Sequence, residues 1–256
     1  MTSLAILQEL LGDTAWMSLA VFLRIAAILA ILPAFGEQVI SVRVRLVLAL
    51  LLTVVVTPAV APLIALPGPS LGTFLRALAT ETISGLFLGI MLRTFIFAIQ
   101  TAGAIAAQST SLSQLLGQSG MDPLPAIGHI LTMAALALLM ATGFHVNVAA
   151  FIVLSYEILP FMDFPNPSAI AEAGRARVSQ SFGLAFSLAA PFVILSVIYN
   201  LTLGAINKAM PQLMVAFVGA PVITFGAIAT LLVAAPFMLS VWLTAVEGFL
   251  VAPFAR

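Results

Sequence analysis

Four ionisable side chains lie within long apolar stretches of the sequence: Arg24, Glu81, Arg93 and Glu247. An ionised group near the centre of a bilayer costs at least about 2.5–3.5 kcal/mol, so each of them needs an explanation. Either they line a conduit or relay, or they pair with one another, contact neighbouring subunits or extend to the interface. Glu81 and Arg93 are more than three helical turns apart, so they cannot pair within one straight helix. Their partners must lie on other segments.

The usual motifs of enzymatic chemistry are absent from the sequence. Neither His129 nor His145 belongs to a His-Glu-x-x-His pattern, and we interpret both as packing or interface residues. Ser84 precedes Gly85 but lacks the leading glycine of a nucleophile turn, and there is no cysteine to supply a thiol or a metal ligand. No phosphate-binding Gly-x-x-x-x-Gly-Lys-Ser/Thr loop occurs. We therefore expect no enzymatic activity, no metal and no cofactor.

The composition requires an apolar environment. Hydrophobic residues make up 62% of the 256 residues and charged residues only 7%, with a mean hydropathy of +1.23. Soluble domains carry about 25% charged residues, so lipid or an apolar neighbouring subunit must cover this surface. Nine basic and nine acidic residues give zero net charge, which argues against a nucleic-acid partner.

Long apolar segments supply the elements that must position these residues. A membrane-spanning helix needs about 20 apolar residues, and continuous runs rich in Leu and Ala predict helices rather than a membrane barrel. We predict an all-α, polytopic bundle, in which the third and last segments are long enough to bend, tilt or break into a hairpin. The six predicted segments are 14–35, 46–66, 77–107, 127–154, 181–206 and 213–250.

The charges near the first segment indicate its orientation. Glu9 and Asp13 precede it and Arg43 and Arg45 follow it, which predicts an outward N-terminus and a cytoplasmic first loop. Since the start lacks the basic residues of a cleavable signal, we interpret the segment as a retained helix. Among the connectors, proline-rich 58–70 predicts a stiff turn. The charged segment 160–180 predicts a solvated loop.

Residues 108–125 form the longest polar stretch, in which Asp122 is the only charged residue. Hydroxyl and amide groups can face water or satisfy one another, the interspersed leucines can block a lumen, and the glycines allow movement. Two interpretations stay open on composition: a movable plug at a pore, or an ordinary flexible loop between helices. The candidate plug residues are Gln108, Ser109, Thr110, Ser111, Leu112, Ser113, Gln114, Leu115, Leu116, Gly117, Gln118, Ser119, Gly120 and Met121.

Small residues at helical spacing predict close packing. Gly85 and Gly89 form a Gly-x-x-x-Gly pair, which lets two helix backbones approach each other in a membrane bundle, within the chain or between subunits.

The order of these residues resembles a known family. The matching positions are Arg24, Pro33-Ala34-Phe35-Gly36, Arg43-Val44-Arg45, Glu81 with Gly85 and Gly89, Ala102-Gly103, Gln108, Asp122-Pro123, Gly143-Phe144-His145, Ser155 with Pro160, Asn200 to Gly204, Lys208, Pro211-Gln212 and Gly219-Ala220-Pro221. Together they resemble the FliR family of flagellar export proteins, called SctT in injectisomes. The sequence departs from the family pattern at Ser41, Lys208, Met214 and Ile223, and its polar stretch before Pro123 is longer.

The resemblance implies a role in protein export. A FliR-like chain joins FliP and FliQ as a single copy in the export gate of the bacterial inner membrane, in the flagellar basal body. Unfolded flagellar subunits pass through this gate, and FlhA and FlhB are further expected partners. The resemblance also favours 108–121 as the plug of the closed pore. Much of the apolar surface would then face FliP and FliQ as well as membrane lipid.

The resemblance also implies a division of the chain and a set of assembly residues. A FliP-like part at about 1–205 precedes a FliQ-like helical hairpin at about 206–256, in which 213–250 bends near Gly226 or Pro236. The residues assigned to subunit packing and assembly are Arg24, Pro33, Gly36, Arg43, Arg45, Glu81, Gly85, Gly89, Asn200, Gly204, Lys208, Pro211, Gln212 and Pro221.

Three alternatives remain beside the flagellar gate. An injectisome homologue would share the same motifs. A small-solute secondary transporter would have an internal two-fold repeat and a binding pocket around buried charges, and the sequence shows no such repeat. A membrane-embedded enzyme would depend on Ser84, His129 or His145.

Overall fold

A computed structural model describes residues 3–65, 67, 68, 70–111, 126–210 and 215–253. Within these ranges the chain is helical and has no β-strand, which confirms the all-α prediction. The helices are α1 Ser3–Ile31, α2 Val42–Val60, α3 Leu71–Ser111, α4 Ala126–Ala141, α5 Phe144–Ile158, α6 Pro167–Ala209 and α7 Val215–Val251, and a short 3-10 helix, Ala61–Leu63, follows α2.

Five of the described helices are long and apolar enough to cross a membrane, and α4 with α5 makes a sixth candidate if the bent pair counts as one span. This agrees with the six predicted segments and with a multi-pass membrane protein. The predicted segments are shorter than the helices α3 and α6, which have 41 and 43 residues. At about 1.5 Å per residue these helices are about 60 Å long, twice the hydrocarbon thickness of a bilayer.

The predicted segment 127–154 is not one continuous helix, because the chain breaks between α4 and α5. The two helices meet at a bend of 75°. Gly143 lies at the break with φ +78°, a left-handed conformation that glycine adopts without steric penalty, and it precedes the first residue of α5. The glycine signal was present in the sequence, but the apolar run on either side concealed the break.

The predicted solvated loop 160–180 is also largely wrong, because α6 begins at Pro167. The Asn166 side chain accepts hydrogen bonds from the backbone N–H and the hydroxyl of Ser168, at 3.0 and 2.8 Å. An N-cap asparagine followed by proline in the first turn is a strong helix start, since proline has no N–H to leave unpaired. Two of the charged residues of this region, Glu172 and Arg175, therefore lie exposed on α6.

The helical hairpin expected within 213–250 is wrong for the described residues, since α7 is one continuous helix of 37 residues. Pro221 and Pro236 both lie inside it, as Pro58 lies inside α2. Proline removes one backbone hydrogen bond but does not reverse the chain direction. The stiff turn predicted at 58–70 accordingly starts later, after the 3-10 helix. The division of the chain at about residue 205 stays a prediction.

The chain forms two compact units. The first comprises Met1–Arg93, Met140–Arg177 and Glu247–Arg256. Within it α2 packs against α1 and α5. Its core consists of the buried faces of α1, the first half of α3, and α5, and the largest fully buried side chains there include Ile25, Ile28, Leu29, Leu88 and Phe151.

The second unit comprises Thr94–Leu139 and Val178–Val246. Here α6 runs parallel to the second half of α3, since the Ser181 hydroxyl donates to the Thr94 carbonyl at 2.9 Å and the Ser196 hydroxyl to the Ser109 carbonyl at 2.6 Å, with the same sequence offset. Helix α7 is also fixed to α3, because the Trp242 indole N–H donates to the carbonyl of Phe95 at 2.8 Å.

Candidate functional site

A fully buried ion pair joins α1 to α3 in the first unit. Arg24 Nε donates to Glu81 Oε2 at 2.7 Å, and both side chains are 0% exposed. This bears out the expectation that Glu81 takes its partner from another segment. A charge in such surroundings is tolerated only when it is paired and its remaining hydrogen-bonding groups are satisfied.

The rest of the Arg24 guanidinium caps the end of α5. Its Nη1 donates to the carbonyl and the hydroxyl of Ser155 at 3.1 and 3.2 Å, and its Nη2 donates to the carbonyl of Leu159 at 3.0 Å. The last carbonyls of a helix carry a partial negative charge, so a cation is favourable there. The guanidinium also lies 3.8 Å from the centre of the Tyr156 ring.

The second carboxylate oxygen of Glu81 holds the segment that follows α5. Its Oε1 accepts the backbone N–H of Met162 at 3.1 Å. Met162 has φ +59°, a strained conformation for a residue with a side chain. On the other side of this residue, Arg76 Nε donates to the Met162 carbonyl at 3.0 Å. One buried ion pair therefore ties together α1, α3, the end of α5 and the turn before α6.

The two glycines of α3 explain how α1 and α3 come close enough for this pair. A Cβ at Gly85 would lie 2.6 Å from the Arg24 carbonyl oxygen, and one at Gly89 would lie 3.1 Å from the Ile28 carbonyl oxygen. Since both contacts advance by four residues on each helix, α1 and α3 run parallel. The Gly-x-x-x-Gly pair thus packs helices within the chain, and its predicted role in assembly remains a prediction.

A second ion pair fixes the turn between α1 and α2. Arg93 contacts Glu37 through both terminal nitrogens, of which Nη2 lies 3.4 Å from Oε2. Arg45 donates to the carbonyls of Glu37 and Ile40 at 3.2 and 3.4 Å. Gly36 lies on the end of α1, where a Cβ would be 2.8 Å from the carbonyl carbon of Ile31. Two predicted assembly residues, Gly36 and Arg45, therefore shape this turn together with the Arg93–Glu37 pair.

The described part of the predicted plug belongs to the last turn of α3. Gln108 is exposed, Thr110 is buried, and the hydroxyls of Ser109 and Thr110 donate back to the Ala106 carbonyl. The Ser109 carbonyl accepts the hydroxyl of Ser196 from α6. Residues 112–121 of the predicted plug lie outside the described residues.

Candidate catalytic and metal-binding residues are dispersed. Among the described residues there is no group of three or more His, Cys, Asp or Glu side chains able to hold a metal ion. His129 and His145 are exposed, on α4 and α5 respectively. Ser84 is buried, and within the described ranges its hydroxyl has no hydrogen-bond partner. The buried Arg24–Glu81 pair and the half-buried Arg93–Glu37 pair each join residues of different segments and so hold helices together.

Comparison with known proteins identifies the family. Residues 15–249 match the family model described as bacterial export proteins, family 1. The chain belongs to this family. It is 35% identical to the flagellar biosynthetic protein FliR of Caulobacter vibrioides over 203 residues, 78% of this chain and 81% of the relative. Identity to FliR of Escherichia coli is 29% over 219 residues, covering 81% and 80%, and to FliR of Bacillus subtilis 26% over 212 residues, covering 79% and 80%.

This bacterial export protein is thus a multi-pass component of the flagellar export apparatus in the inner membrane. The resemblance to FliR is confirmed. The predicted assembly residues fall into two groups, those that make contacts within the chain and those that are exposed. Arg24, Glu81, Gly85 and Gly89 make contacts within the chain.

The predicted assembly residues near the C-terminus that the structure describes are exposed. Asn200, Gly204 and Lys208 are exposed on α6, and Pro221 is exposed on α7. A Cβ at Gly204 would meet nothing within 4 Å. Two further members of the motif, Pro211 and Gln212, lie outside the described residues.

Sequence reasoning missed two residues that the structure makes important. Asn166 starts α6, and Ser196 donates to α3. For Asn166 the Asn-Pro dipeptide was a usable signal. For Ser196 no signal existed, because a serine on an apolar helix has the same sequence appearance whether its hydroxyl bonds within its own helix or to another one. Ser155 was singled out only as a position of the family pattern, and the structure adds its contact with Arg24.

Proposed function

We propose that this export protein joins FliP-like and FliQ-like subunits to form the channel through which unfolded flagellar proteins cross the inner membrane. FlhA and FlhB are the further partners of the proposal. The observation that carries it is the match to the export family over residues 15–249, together with relatives named as flagellar biosynthetic proteins. We infer a structural role without a chemical step.

The exposed apolar faces of α6 and α7 support protein partners. Val178 and Ile206 are both exposed on α6 and lie about 42 Å apart along the helix axis. The hydrocarbon layer is only about 30 Å thick, so lipid covers this length only if the helix tilts strongly. On α7 exposed apolar side chains extend from Val222 to Val251. Apolar surface longer than the bilayer is suited to contact with other membrane subunits.

The exposed family residues mark where such contacts would form. The side chains of Arg43 and Lys208 make no hydrogen bond or ion pair within the part of the chain that the structure describes, and both residues are exposed, as is Gly204. A glycine inside a helix destabilises it by about 1 kcal/mol relative to alanine, and none of the described residues packs so closely on Gly204 that a glycine is required there. We assign it to the close approach of another subunit.

A substitution at Gly204 tests the interface. Gly204→Leu places a bulky side chain where the chain itself leaves open space, so the isolated protein should remain folded while co-purification with FliP and FliQ falls. Substituting Pro211 and Gln212 should likewise reduce co-purification more than it changes conductance. Undiminished co-purification of Gly204→Leu would contradict the interface assignment.

We assign gating to residues 108–121, with Leu112, Leu115 and Leu116 as the apolar blockers. Deleting 114–119 should raise ion leakage in cells that carry the assembled gate. The control is co-purification of the deletion variant with FliP and FliQ, which shows that the gate is intact. Unchanged leakage in an intact assembly would remove the plug from the proposal.

A further inference from the structure

Helix α2 is buried along one face only. Its buried residues recur every three or four positions, so they form a single stripe along the helix. They are Ala49, Thr53, Val56 and Val60. The rest of α2 is largely exposed, and its exposed side chains after the first turn are almost all valine, leucine, alanine or proline. Such a surface needs an apolar partner from outside the chain.

Another face of α2 combines a charge with an apolar run. Arg43 lies in the first turn and is exposed. The residues four, seven and eleven positions later lie on the same side of the helix, and they are Val47, Leu50 and Val54. These three are 53%, 50% and 74% exposed. We call the four residues the outer stripe. It extends about 17 Å along the helix axis, close to half of a hydrocarbon layer of about 30 Å.

The turn before α2 carries positive charge that the described residues do not neutralise. Glu37 forms an ion pair with Arg93. Arg45 donates to two backbone carbonyls of the turn, and neither it nor Arg43 has an acidic partner in the part of the chain that the structure describes. A guanidinium binds phosphate oxygens well, because its donors match their geometry. The outer stripe therefore has a phosphate-binding group at one end and apolar side chains along its length.

The length of the exposed apolar surface separates α2 from α7. The apolar helical segment that contains α2, Val42–Leu63, has 22 residues and is about 33 Å long, which matches the hydrocarbon layer. On α7 exposed apolar side chains extend from Val222 to Val251, about 44 Å. The basic residues predict that the Arg43 end lies on the cytoplasmic side, where the leaflet is rich in anionic lipid. Length and charge at α2 thus both match lipid.

We propose that the outer stripe of α2 binds an anionic phospholipid of the cytoplasmic leaflet. The lipid phosphate contacts Arg43, and one acyl chain lies along the stripe from Val47 to Val54. This site is separate from the subunit contacts proposed for α6 and α7. Of the exposed family residues, Arg43 is thereby assigned to lipid, while Gly204 and Lys208 keep their assignment to a neighbouring subunit.

The test places a fluorescent label on the stripe. Because the sequence has no cysteine, Val47→Cys gives a single site for a bimane label. Val233→Cys is the matched control, since Val233 is also an exposed valine and α7 has no basic residue. The full chain is reconstituted in lipid nanodiscs. The label is quenched by lipids that carry a nitroxide on the acyl chain, either anionic phosphatidylglycerol or uncharged phosphatidylcholine with the same chains.

The expected result is a lipid preference at one position only. A basic side chain at an anionic surface contributes about 1 kcal/mol, which corresponds to about fivefold in binding. Phosphatidylglycerol should therefore associate with position 47 about fivefold more strongly than phosphatidylcholine, and position 233 should show no preference. Arg43→Gln should remove the preference and Arg43→Lys should keep it. Arg175→Gln, which removes an exposed charge of α6, should leave it unchanged. Equal preference at both positions, or a preference that survives Arg43→Gln, would overturn the lipid site.

A second measurement distinguishes lipid from a protein partner. In the gate purified with FliP and FliQ, the label at position 47 should remain quenched by phosphatidylglycerol. Loss of this quenching on assembly would show that a subunit covers α2, and it would overturn the proposal. Quenching at position 233 should fall on assembly, because subunits are proposed to cover α7. Its persistence would count against the proposed subunit contacts and would leave the lipid site standing.

Discussion

Removing the Glu81 side chain should destabilise the protein more than removing any exposed charged side chain. Glu81→Ala takes away the partner of Arg24 Nε and the acceptor of the Met162 N–H, both in a fully buried setting. Breaking a buried ion pair by removing one partner costs about 3–5 kcal/mol, because the other charge remains buried without compensation. That is a large share of the roughly 5–15 kcal/mol that stabilises a typical domain.

The comparison variant is Asp163→Asn. Asp163 pairs with Arg76 at 3.9 Å, and the two side chains are 69% and 57% exposed. Exposed pairs contribute about 0–1 kcal/mol, so this change should be nearly silent. The assay is SDS-induced unfolding of the purified protein, followed by the fluorescence of its two tryptophans.

A double substitution separates charge pairing from packing. Arg24→Met with Glu81→Leu removes both charges and keeps apolar volume, so it should be more stable than Glu81→Ala alone. Should Glu81→Ala prevent purification, Glu81→Gln is the milder variant, since its NH2 group replaces one carboxylate oxygen and leaves either Arg24 Nε or the Met162 N–H facing a donor. Equal losses for Glu81→Ala and Asp163→Asn, or a double variant no better than the single one, would refute the reasoning.

Three further predictions concern helix contacts and turns, all read from the same unfolding midpoint. Gly103→Ala should destabilise by more than about 2 kcal/mol, because its Cβ would overlap α4, whereas Gly183→Ala, which meets nothing within 4 Å, should stabilise by up to about 1 kcal/mol. Ala34 and Gly143 both have a positive φ, +67° and +78°, which glycine adopts more easily than alanine. Ala34→Gly should therefore stabilise the protein by about 0.5–1 kcal/mol, and Gly143→Ala should destabilise it by about 1 kcal/mol. Two changes of the same sign would contradict this backbone argument. Trp242→Phe should lose about 1 kcal/mol by leaving a buried carbonyl without its indole donor, and no loss would show that the bond contributes nothing.

The sequence sufficed for the membrane class and the approximate number of membrane spans because these depend on composition over long windows. Runs of apolar residues specify helices in lipid, where every backbone group must be satisfied within its own segment. It also sufficed to state that Glu81 and Arg93 need partners elsewhere, since that follows from helical geometry alone. It could not name Arg24 and Glu37 as those partners.

The boundaries were less predictable. Gly143 breaks an apolar run that composition shows as continuous, and the Asn166–Pro167 cap turns a charged, loop-like region into the start of α6. In both cases one local backbone preference outweighed the average character of the surrounding residues.

What the sequence determined by itself is therefore the family, the membrane environment and the residues that require partners. Only the tertiary structure decided which residues meet. The Gly-x-x-x-Gly motif of Gly85 and Gly89 looks the same in the sequence whether it packs within the chain or against another subunit. The structure shows that both glycines contact α1 of the same chain. Ser196 is one serine among many until α6 lies parallel to α3 and brings its hydroxyl to the Ser109 carbonyl. Such pairings join residues far apart in sequence, and their geometry arises only when whole helices pack.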